Sequence, residues 1–133
     1  MSQENVEIVR RSFGAIGRGD IDALISYYDP DAEFMPLTGT LVESGGYHGH
    51  SGIRRYFDEV AETWDRLSPH ADDIRTVGND VVVLGGCAVR GRGSAIETDS
   101  PMAWVITLRA GKITNLRAYQ THAAALEVTG LSE

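Results

Sequence analysis

The spacing of apolar residues changes midway along this chain, and that change limits the possible folds more than any other feature of the sequence. Before Pro69, apolar residues recur at intervals of three and four, as in Val6, Val9, Phe13 and Ile16, which is the period of an amphipathic helix. After Pro69 the period is two, and the run VVVLGGCAV is almost continuously apolar, as in a central strand. A sheet this apolar needs helices over one face, so the order predicts an α+β fold.

Glycine, proline and capping residues mark where these elements begin and end. The predicted helices cover residues 2–18, a short segment after Asp20, a segment after Ser51 and a final turn after Thr121. The predicted strands cover residues 31–37, 70–77, 81–92, 95–109 and 112–120. Pro101 marks a bulge or kink in one of these strands, and residues 38–52 form a glycine-rich loop.

Three helices and then a meander of long strands predict a cone. Glycines within the strands permit strong coiling, and a coiled sheet is concave; these glycines are Gly85, Gly86, Gly91 and Gly93. The expected architecture is three N-terminal helices packed on a strongly curved, mixed or antiparallel sheet that forms a cone with an interior pocket. At 133 residues, the chain has the length of one domain, which is expected to cover residues 1–133.

Composition excludes several functional classes. The net charge is -7 and the arginines are scattered, so the chain lacks the concentrated positive charge that binds nucleic acids. No apolar run approaches the ~20 residues of a membrane helix, and the N-terminal residues lack the pattern of a signal peptide, so no membrane partner and a cytoplasmic location are expected. Cys87 is the only cysteine, which excludes an intramolecular disulfide and a CxxC motif. Its apolar surroundings favour a small buried hydrophobe over a reactive thiol.

Several short motifs, in a fixed order over nearly the whole chain, carry a resemblance to a known family. They are Gly19-Asp20-Ile21-Asp22, Tyr28-Asp29-Pro30-Asp31-Ala32-Glu33-Phe34, Tyr47-His48-Gly49-His50-Ser51-Gly52-Ile53-Arg54, Leu108-Arg109-Ala110-Gly111-Lys112-Ile113, Tyr119 and Ala125-Leu126. In this pattern the chain resembles the nuclear transport factor 2-like (NTF2-like, cystatin-like) superfamily and, within it, the SnoaL-like domain proteins. The order and spacing are specific for the fold and say little about activity, because one fold hosts many functions.

The resemblance implies a set of chemistries that includes those of ketosteroid isomerases, polyketide cyclases, epoxide hydrolases and dehydratases, along with members without known catalysis. A ketosteroid isomerase needs an aspartate base at the position that matches Pro36, and proline cannot abstract a proton. Its oxyanion-binding pair aligns with Ser12 and with Ala103 or Trp104. SnoaL-type cyclases use an aspartate where Thr121 stands, and the Asp-Arg-Asp set of the epoxide hydrolases cannot be placed from spacing. The residues of these mechanisms are therefore mostly absent.

Three polar residues remain as candidates for acid–base catalysis. Glu33 lies on the short strand that borders the pocket in the family, where partial burial would make it a stronger base; an outward-facing, solvated glutamate is the alternative. His48 and His122, placed at the pocket mouth, are candidate acids, bases or hydrogen-bond donors, or else they satisfy backbone groups. His48 and His50 share a loop without a third convergent ligand, so neither a metal nor a cofactor is expected.

Aromatic residues with polar tips lie on elements that are expected to face one another, and they suit an amphipathic ligand as well as an ordinary core. The candidate ligand-binding residues are Tyr28, Met35, Tyr56, Trp64, Trp104 and Tyr119. One functional hypothesis is a protein that binds a small hydrophobic or aromatic molecule in the cone, as an isomerase, cyclase or lyase with non-standard catalytic residues. The alternative is a non-catalytic module for dimerisation or partner binding. In both cases an open apolar sheet face predicts a homodimer.

Overall fold

The computed structural model describes residues 2–131, without the side chain of Ser2, so both ends of the predicted 1–133 domain lie outside the described residues. The helices of this part of the chain are α1 (Ser2–Arg18), α2 (Ile21–Ser26), α3 (Gly49–Thr63) and α4 (His122–Thr129). The strands are β1 (Tyr28–Met35), β2 (Tyr47–His48), β3 (Trp64–Val77), β4 (Asp80–Gly91), β5 (Glu97–Arg109) and β6 (Lys112–Tyr119). Two helices therefore precede the first strand, and α3 follows only after β1 and β2.

The strands form one curved six-stranded sheet in the order β2-β1-β6-β5-β4-β3. The last four strands are consecutive neighbours and antiparallel, as predicted for a meander. β1 instead runs parallel to β6, so the sheet is mixed. A parallel pair needs a long connection, and the stretch from α3 to β5 supplies it.

Each face of the sheet carries its own apolar core. The inner face packs against α1, α2 and α3, and its buried strand residues include Val81, Val83 and Ile106. The outer face packs against α4 through Leu84 and Ala103. Because adjacent strand residues point to opposite faces, the almost continuous apolar run of β4 serves both cores.

The outer face beyond α4 carries charged side chains, which corrects the expectation of an open apolar face. Arg66 of β3 lies 3.7 Å from Glu97 of β5. On the same face, the ring of His70 bonds Asp99 across β4. Ile96 and Val128 are the exposed large hydrophobic residues within the described part of the chain. No helix in residues 2–131 is long and apolar enough to cross a membrane.

Helix caps were predicted correctly at two positions and wrongly at a third. The Asp20 side chain accepts a hydrogen bond from the Ala23 amide at 3.2 Å, and Thr121 caps α4 in the same way. Ser51, by contrast, lies inside α3, which begins at Gly49. The pairing of β2 with β1 brings the chain into the helix earlier, and Gly49 allows the tight turn with φ +69.

Two strand predictions were wrong because proline was read as an interruption. β3 begins at Trp64, six residues before the predicted start, and runs through Pro69. It is an edge strand, where the missing amide of a proline is tolerated. Pro101 pairs in regular register with Gly86, so no bulge occurs there. Register shifts lie instead in β3, between Trp64 and Arg66 and between Ala71 and Asp73, and in β5 between Thr107 and Leu108.

The beginning of β1 also differs from the prediction. The predicted strand covers residues 31–37, whereas β1 starts three residues earlier, at Tyr28, and ends at Met35 before Pro36. α2 stops at Ser26, four residues before Pro30. The backbone of Tyr28 pairs with β6, and this long-range pairing overrides the local helical pattern.

Candidate functional site

A cavity of about 320 Å³ lies between the inner face of the sheet and helices α1 and α3. Its volume is at the low end of the range for small-molecule sites. Most of its lining residues are apolar or aromatic. They are Phe13, Ile16, Phe34, Pro36, Leu37, Thr38, Tyr56, Phe57, Trp64, Leu67, Pro69, Cys87, Val89, Ser100, Met102, Trp104, Leu116 and Ala118.

Local structure explains why these side chains meet. In β5, the period of two places Ser100, Met102 and Trp104 on the inner face. In α3, Tyr56 and Phe57 turn toward the sheet. The aromatic rings pack in edge or tilted arrangements, with centroids 4.9 Å apart for the Tyr56–Phe57 pair. Such contacts between rings add to the stability gained from apolar burial and hold the cavity wall in shape.

The cavity contains no group that ionises readily near neutral pH. None of its lining residues is an aspartate, glutamate, histidine, lysine or arginine. Burial raises the pKa of Tyr56 well above its ordinary value. Burial also raises the pKa of Cys87 to about 11. Both side chains therefore stay protonated at neutral pH, and neither is a competent base or thiolate nucleophile there.

Two hydrogen-bond donors in the cavity wall lack partners. Among residues 2–131, no hydrogen bond is made by the Tyr56 hydroxyl or by the Trp104 indole N–H. Trp104 is only 6% exposed, and its ring packs edge-on against Phe13 at 4.9 Å between centroids. Neither atom is fully buried, because Arg90 Nε is the buried side-chain atom without a partner in the described part of the chain. Both donors are therefore open to the cavity and can donate to a group placed in it.

A second cavity, of about 510 Å³, adjoins the first at its mouth. The two cavities share Thr38, Tyr56 and Trp64 in their walls. The outer cavity is otherwise lined by the segment after β1 and by the C-terminal half of α3, including Glu59 and Glu62. Polar side chains are thus concentrated at the mouth, while the interior is apolar.

Glu59 fixes the segment that forms this mouth. Its carboxylate accepts hydrogen bonds from the Thr40 amide at 3.2 Å, the Thr40 hydroxyl at 2.6 Å and the Tyr47 hydroxyl at 2.5 Å. Arg55 donates a further bond at 3.3 Å. These donors hold the pKa of Glu59 at about 2. Glu59 is therefore ionised at neutral pH, and its hydrogen bonds join the segment at Thr40 to α3.

The predicted catalytic residues lie outside the cavity wall. Glu33 and His48 are register partners on β1 and β2, and the His48 Nδ1 atom lies 2.8 Å from Glu33 Oε1. Both side chains are more than half exposed, at 53% for Glu33 and 63% for His48. The Nε2 atom of His122 lies 2.9 Å from the Gly85 carbonyl oxygen, at the start of α4. The structure thus brings Glu33 and His48 together and leaves His122 apart.

The predicted ligand-binding residues divide into two groups. Tyr56, Trp64 and Trp104 line the cavity. The others are Tyr28, Met35 and Tyr119, and none of them lines it. Tyr28 is 2% exposed within the inner core, and burial raises its pKa. Met35 packs beside Gly46, and Tyr119 packs on the outer core with α4.

Sequence reasoning missed a charged cluster on the outer face. The His70 Nδ1 atom lies 2.9 Å from Asp72 Oδ1, and its Nε2 atom lies 2.9 Å from Asp99 Oδ1. Carboxylates only accept, so this arrangement needs a doubly protonated ring, and the hydrogen bonds that the ring donates to Asp99 and Asp72 raise the pKa of His70. Gly86 makes room for the ring, because a Cβ there would lie 2.8 Å from His70 Nε2. The spacing of His70 and Asp72 hinted at one half of the cluster, whereas Asp99 is distant in sequence.

The same cluster does not form a metal site. Its two carboxylates bind opposite nitrogens of one ring and cannot converge on a single ion. Within residues 2–131, no group of three or more histidine, cysteine, aspartate or glutamate side chains is placed to hold a metal.

Cavity residues contributed by β3 and β4 were also missed. Leu67 and Pro69 lie on β3, and Cys87 and Val89 lie on β4. Alternation along VVVLGGCAV assigns Cys87 and Val89 to one face, so that pair was accessible from the sequence. The β3 pair was not, because the sequence did not reveal that a strand covered those residues.

Comparison with known proteins agrees with this architecture. The uncharacterised protein Rv0034 of Mycobacterium tuberculosis H37Rv is 28% identical over 131 residues, which cover 92% of this chain and 93% of the relative. An NTF2-like protein of unknown function from Burkholderia pseudomallei K96243 has a TM-score of 0.78 at 20% identity, over 95% of this chain and 97% of that one.

TerC, whose crystals contained polyporic acid, has a TM-score of 0.78 at 23% identity, over 96% of this chain and 98% of that one. At these identities the structural likeness shows the fold alone. The family model of the SnoaL-like domain matches residues 9–116, which is most of the chain. This protein therefore belongs to the SnoaL-like domain family.

Proposed function

We propose that this protein binds a flat, largely apolar small molecule in the inner cavity. The observation that carries the proposal is the cavity of about 320 Å³, whose walls are apolar and aromatic with a few neutral polar groups. This combination is typical of small-molecule sites. TerC, which has a similar fold, was crystallised with a small molecule, polyporic acid. A steroid or an aromatic polyketide fragment has the shape that such a cavity suits.

The chemistry of the cavity favours binding over acid–base catalysis. Proton abstraction at neutral pH needs a base within reach of the ligand, and the lining residues include no carboxylate or imidazole. The candidates Glu33, His48 and His122 lie elsewhere on the protein. An isomerase, cyclase or lyase mechanism would therefore have to operate without a base in the cavity wall. Binding without such catalysis is the function that the geometry supports best.

The expected affinity follows from the apolar surface area that the ligand would bury. Burying ~300 Å² of apolar ligand surface at about 25 cal/mol per Å² contributes roughly 7 kcal/mol before the costs of association are subtracted. Lost translational and rotational freedom removes much of this gain. We therefore expect dissociation constants on the order of tens of micromolar or weaker for ligands that match the shape alone.

Tryptophan fluorescence tests the proposal, because Trp64 and Trp104 both line the cavity and are the two tryptophans of the chain. Each of the variants Trp64→Phe and Trp104→Phe retains one reporter on a different wall. Titration with progesterone should change the emission of both variants saturably and with similar midpoints. Free N-acetyltryptophanamide, titrated in parallel, corrects for absorption by the ligand. Signals that never saturate in either variant would count against ligand binding.

The homodimer and the cytoplasmic location stay predictions. Since the uncovered outer face is charged, a dimer formed there would be held by pairs such as Arg66 and Glu97 rather than by an apolar patch. Its stability should then fall as salt screens those charges. Sedimentation at micromolar concentration and low salt tests this, and a monomer under those conditions would remove the dimer. Dimerisation at micromolar concentration without any ligand binding would instead favour the alternative function, a non-catalytic module for dimerisation or partner binding.

A further inference from the structure

We propose that residues 36–46, which connect β1 to β2, form a lid over the inner cavity and that the Glu59 carboxylate holds this lid closed. The proposal rests on the proposed function, since it concerns how a ligand enters and leaves the cavity. A lid shields a bound ligand from water and has to open when the ligand is exchanged.

The lid residues belong to the walls of both cavities. Residues 36–38 line the inner cavity, and residues 38–40 line the outer cavity. The lid therefore lies at the boundary between the apolar interior and the polar mouth. Moving it away from α3 would join the two cavities and expose the inner one to solvent.

The lid is hydrogen-bonded within itself, and its two ends are close together. The pairing of Phe34 with Tyr47 brings β1 and β2 side by side where the lid begins and ends. Inside the lid, the Ser44 and Gly46 amides donate to the Leu41 carbonyl oxygen at 3.1 and 2.8 Å. Close ends and internal contacts are the features of an Ω-loop. Because these bonds lie inside the lid, they can persist when the lid moves as one body.

Few hydrogen bonds join the lid to the rest of the protein, and they converge on one place. Glu59 accepts from the Thr40 amide, the Thr40 hydroxyl and the Tyr47 hydroxyl. The Leu41 amide donates to the Tyr47 hydroxyl at 3.4 Å, and Arg55 Nη2 donates to the Thr40 hydroxyl at 3.4 Å. Apart from the strand pairing at its ends, no other hydrogen bond joins the lid to the remainder of residues 2–131.

Glu59 is the contact whose loss should release the lid. Its side chain is only 23% exposed, and hydrogen bonds to a carboxylate are stronger than bonds between neutral groups. The apolar contacts of the lid are less directional, because Leu37 and Leu41 are only partly buried against the inner core. Gly39 lets the lid sit close to the body, since a Cβ there would lie 2.3 Å from the Tyr47 hydroxyl oxygen.

Amide hydrogen exchange, followed residue by residue by nuclear magnetic resonance, tests whether Glu59 holds the lid. Glu59→Ala removes the acceptor, and Thr40→Val removes only the hydroxyl donor. We expect the Leu41 amide to exchange at least about tenfold faster in Glu59→Ala and about threefold faster in Thr40→Val, as the loss of these hydrogen bonds allows. The Gly46 amide, which is bonded inside the lid, should keep its protection. Glu62→Ala is the control: it removes a carboxylate from the same helix and the same outer cavity wall, and it should leave both amides unchanged.

Binding kinetics test whether the lid controls access to the cavity. Stopped-flow fluorescence of the two tryptophans with progesterone gives the association and dissociation rates. Glu59→Ala should raise both rates by about tenfold and change the dissociation constant by less than about threefold, because the lid closes over the free and the occupied cavity alike. Glu62→Ala should have the rates of the wild type.

The outcomes separate this proposal from the function on which it rests. Unchanged exchange at Leu41 in both variants would overturn the role of Glu59. Equal acceleration at Leu41 and Gly46 would overturn the lid, because the segment would then unfold locally instead of moving as one body. Faster exchange with unchanged progesterone rates would also overturn it, while leaving ligand binding intact.

Two further results keep the test decisive. If progesterone does not bind the wild type saturably, the proposed function is contradicted, and the exchange rates alone decide whether Glu59 holds the segment. Thermal unfolding of each variant shows whether it is folded. Thr40→Val keeps the hydrogen bond between Glu59 and Tyr47, so it provides the test even if Glu59→Ala does not fold.

Discussion

The cluster of His70, Asp72 and Asp99 should make the stability of this protein depend on pH in a defined direction. The imidazolium ring of His70 crosses above Gly86 and connects β3 to β5, with bonds of 2.9 Å to both Asp72 and Asp99. Its residues adjoin the cavity wall, because the neighbouring Pro69 lines the inner face. His70→Gln removes the charge and one of the two donors, and thus measures what the cluster contributes.

The size of the stabilisation by this cluster follows from the solvent exposure of its side chains. A hydrogen bond to a charged group contributes about 1.5–3 kcal/mol, whereas an exposed ion pair contributes about 0.2–1 kcal/mol. The side chains are 41% exposed for His70 and 56% for Asp99, so solvent screens them and the lower range applies to each pair. For two pairs together we expect about 1 kcal/mol, which corresponds to a shift of roughly 0.5 M in the urea midpoint.

The direction of the pH dependence follows from the difference between the pKa values of His70 in the folded and unfolded states. Asp99 and Asp72 raise the pKa of His70 above the 6.5 of an unperturbed histidine. The stabilisation is therefore fully present below about pH 6.5 and is lost as the pH rises through the folded-state pKa. Urea unfolding of the wild type and of His70→Gln, at several pH values between 5 and 9, gives the difference in free energy of unfolding. That difference should shrink as the pH rises. A difference that stays constant or grows with pH would refute the reasoning.

Three further variants test other parts of the structure by thermal unfolding. Glu59→Gln should lower the melting temperature of the protein and reduce its loss of stability on acidification below about pH 4.5. The reason is that the pKa of Glu59 is lowered to about 2, so its carboxylate stabilises the wild type only while it is ionised. Equal acid sensitivity in both proteins would contradict this. Gly86→Ala should lower the free energy of unfolding by about 1–3 kcal/mol, because the added Cβ would lie 2.7 Å from the Ser100 carbonyl oxygen. The control Gly14→Ala on α1, where the nearest atom is the flexible end of an arginine, should be neutral or stabilising. Similar losses at both sites would be inconsistent with close strand packing. Leu126→Ala should lower the free energy of unfolding by about 2–5 kcal/mol, because it leaves a cavity in the outer core, and it should not change ligand affinity. A loss below about 1 kcal/mol would mean that α4 does not cover that face.

Elements with local determinants could be predicted from the sequence. The C-terminal end of α1 at Arg18 was predicted correctly, and so were the N-caps Asp20 of α2 and Thr121 of α4. Each of these features is specified by residues within a few positions of one another. β4 differed from its prediction by one residue at each end, since its apolar run has no other plausible environment than a buried strand. Family membership was also predicted correctly from the order of short motifs.

Features that depend on distant residues could not be predicted. The Ser51 cap was wrong because the start of α3 is set by the pairing of β2 with β1, which no local pattern records. The start of β3 was missed because an edge strand tolerates Pro69. The partner of His70 lies 29 residues away on β5, so alternation within one strand could not identify it.

The candidate site shows the same division. Trp104 was assigned to the cavity from its place on the inner face of β5, and the structure has it there. Glu33 was a candidate because it borders the pocket in related proteins, but its side chain is paired with His48 at the surface. Whether a residue on a short strand faces inward or outward depends on register, and a shift of one residue reverses it.

A crystal structure of this protein grown with progesterone tests the central claim most directly. We expect density for the ligand inside the cavity bounded by α1, α3 and the inner face of the sheet, in contact with Trp64 and Trp104. An interior filled by the protein's own side chains, with the ligand absent or bound only at the surface, would contradict the claim that this cavity is a binding site.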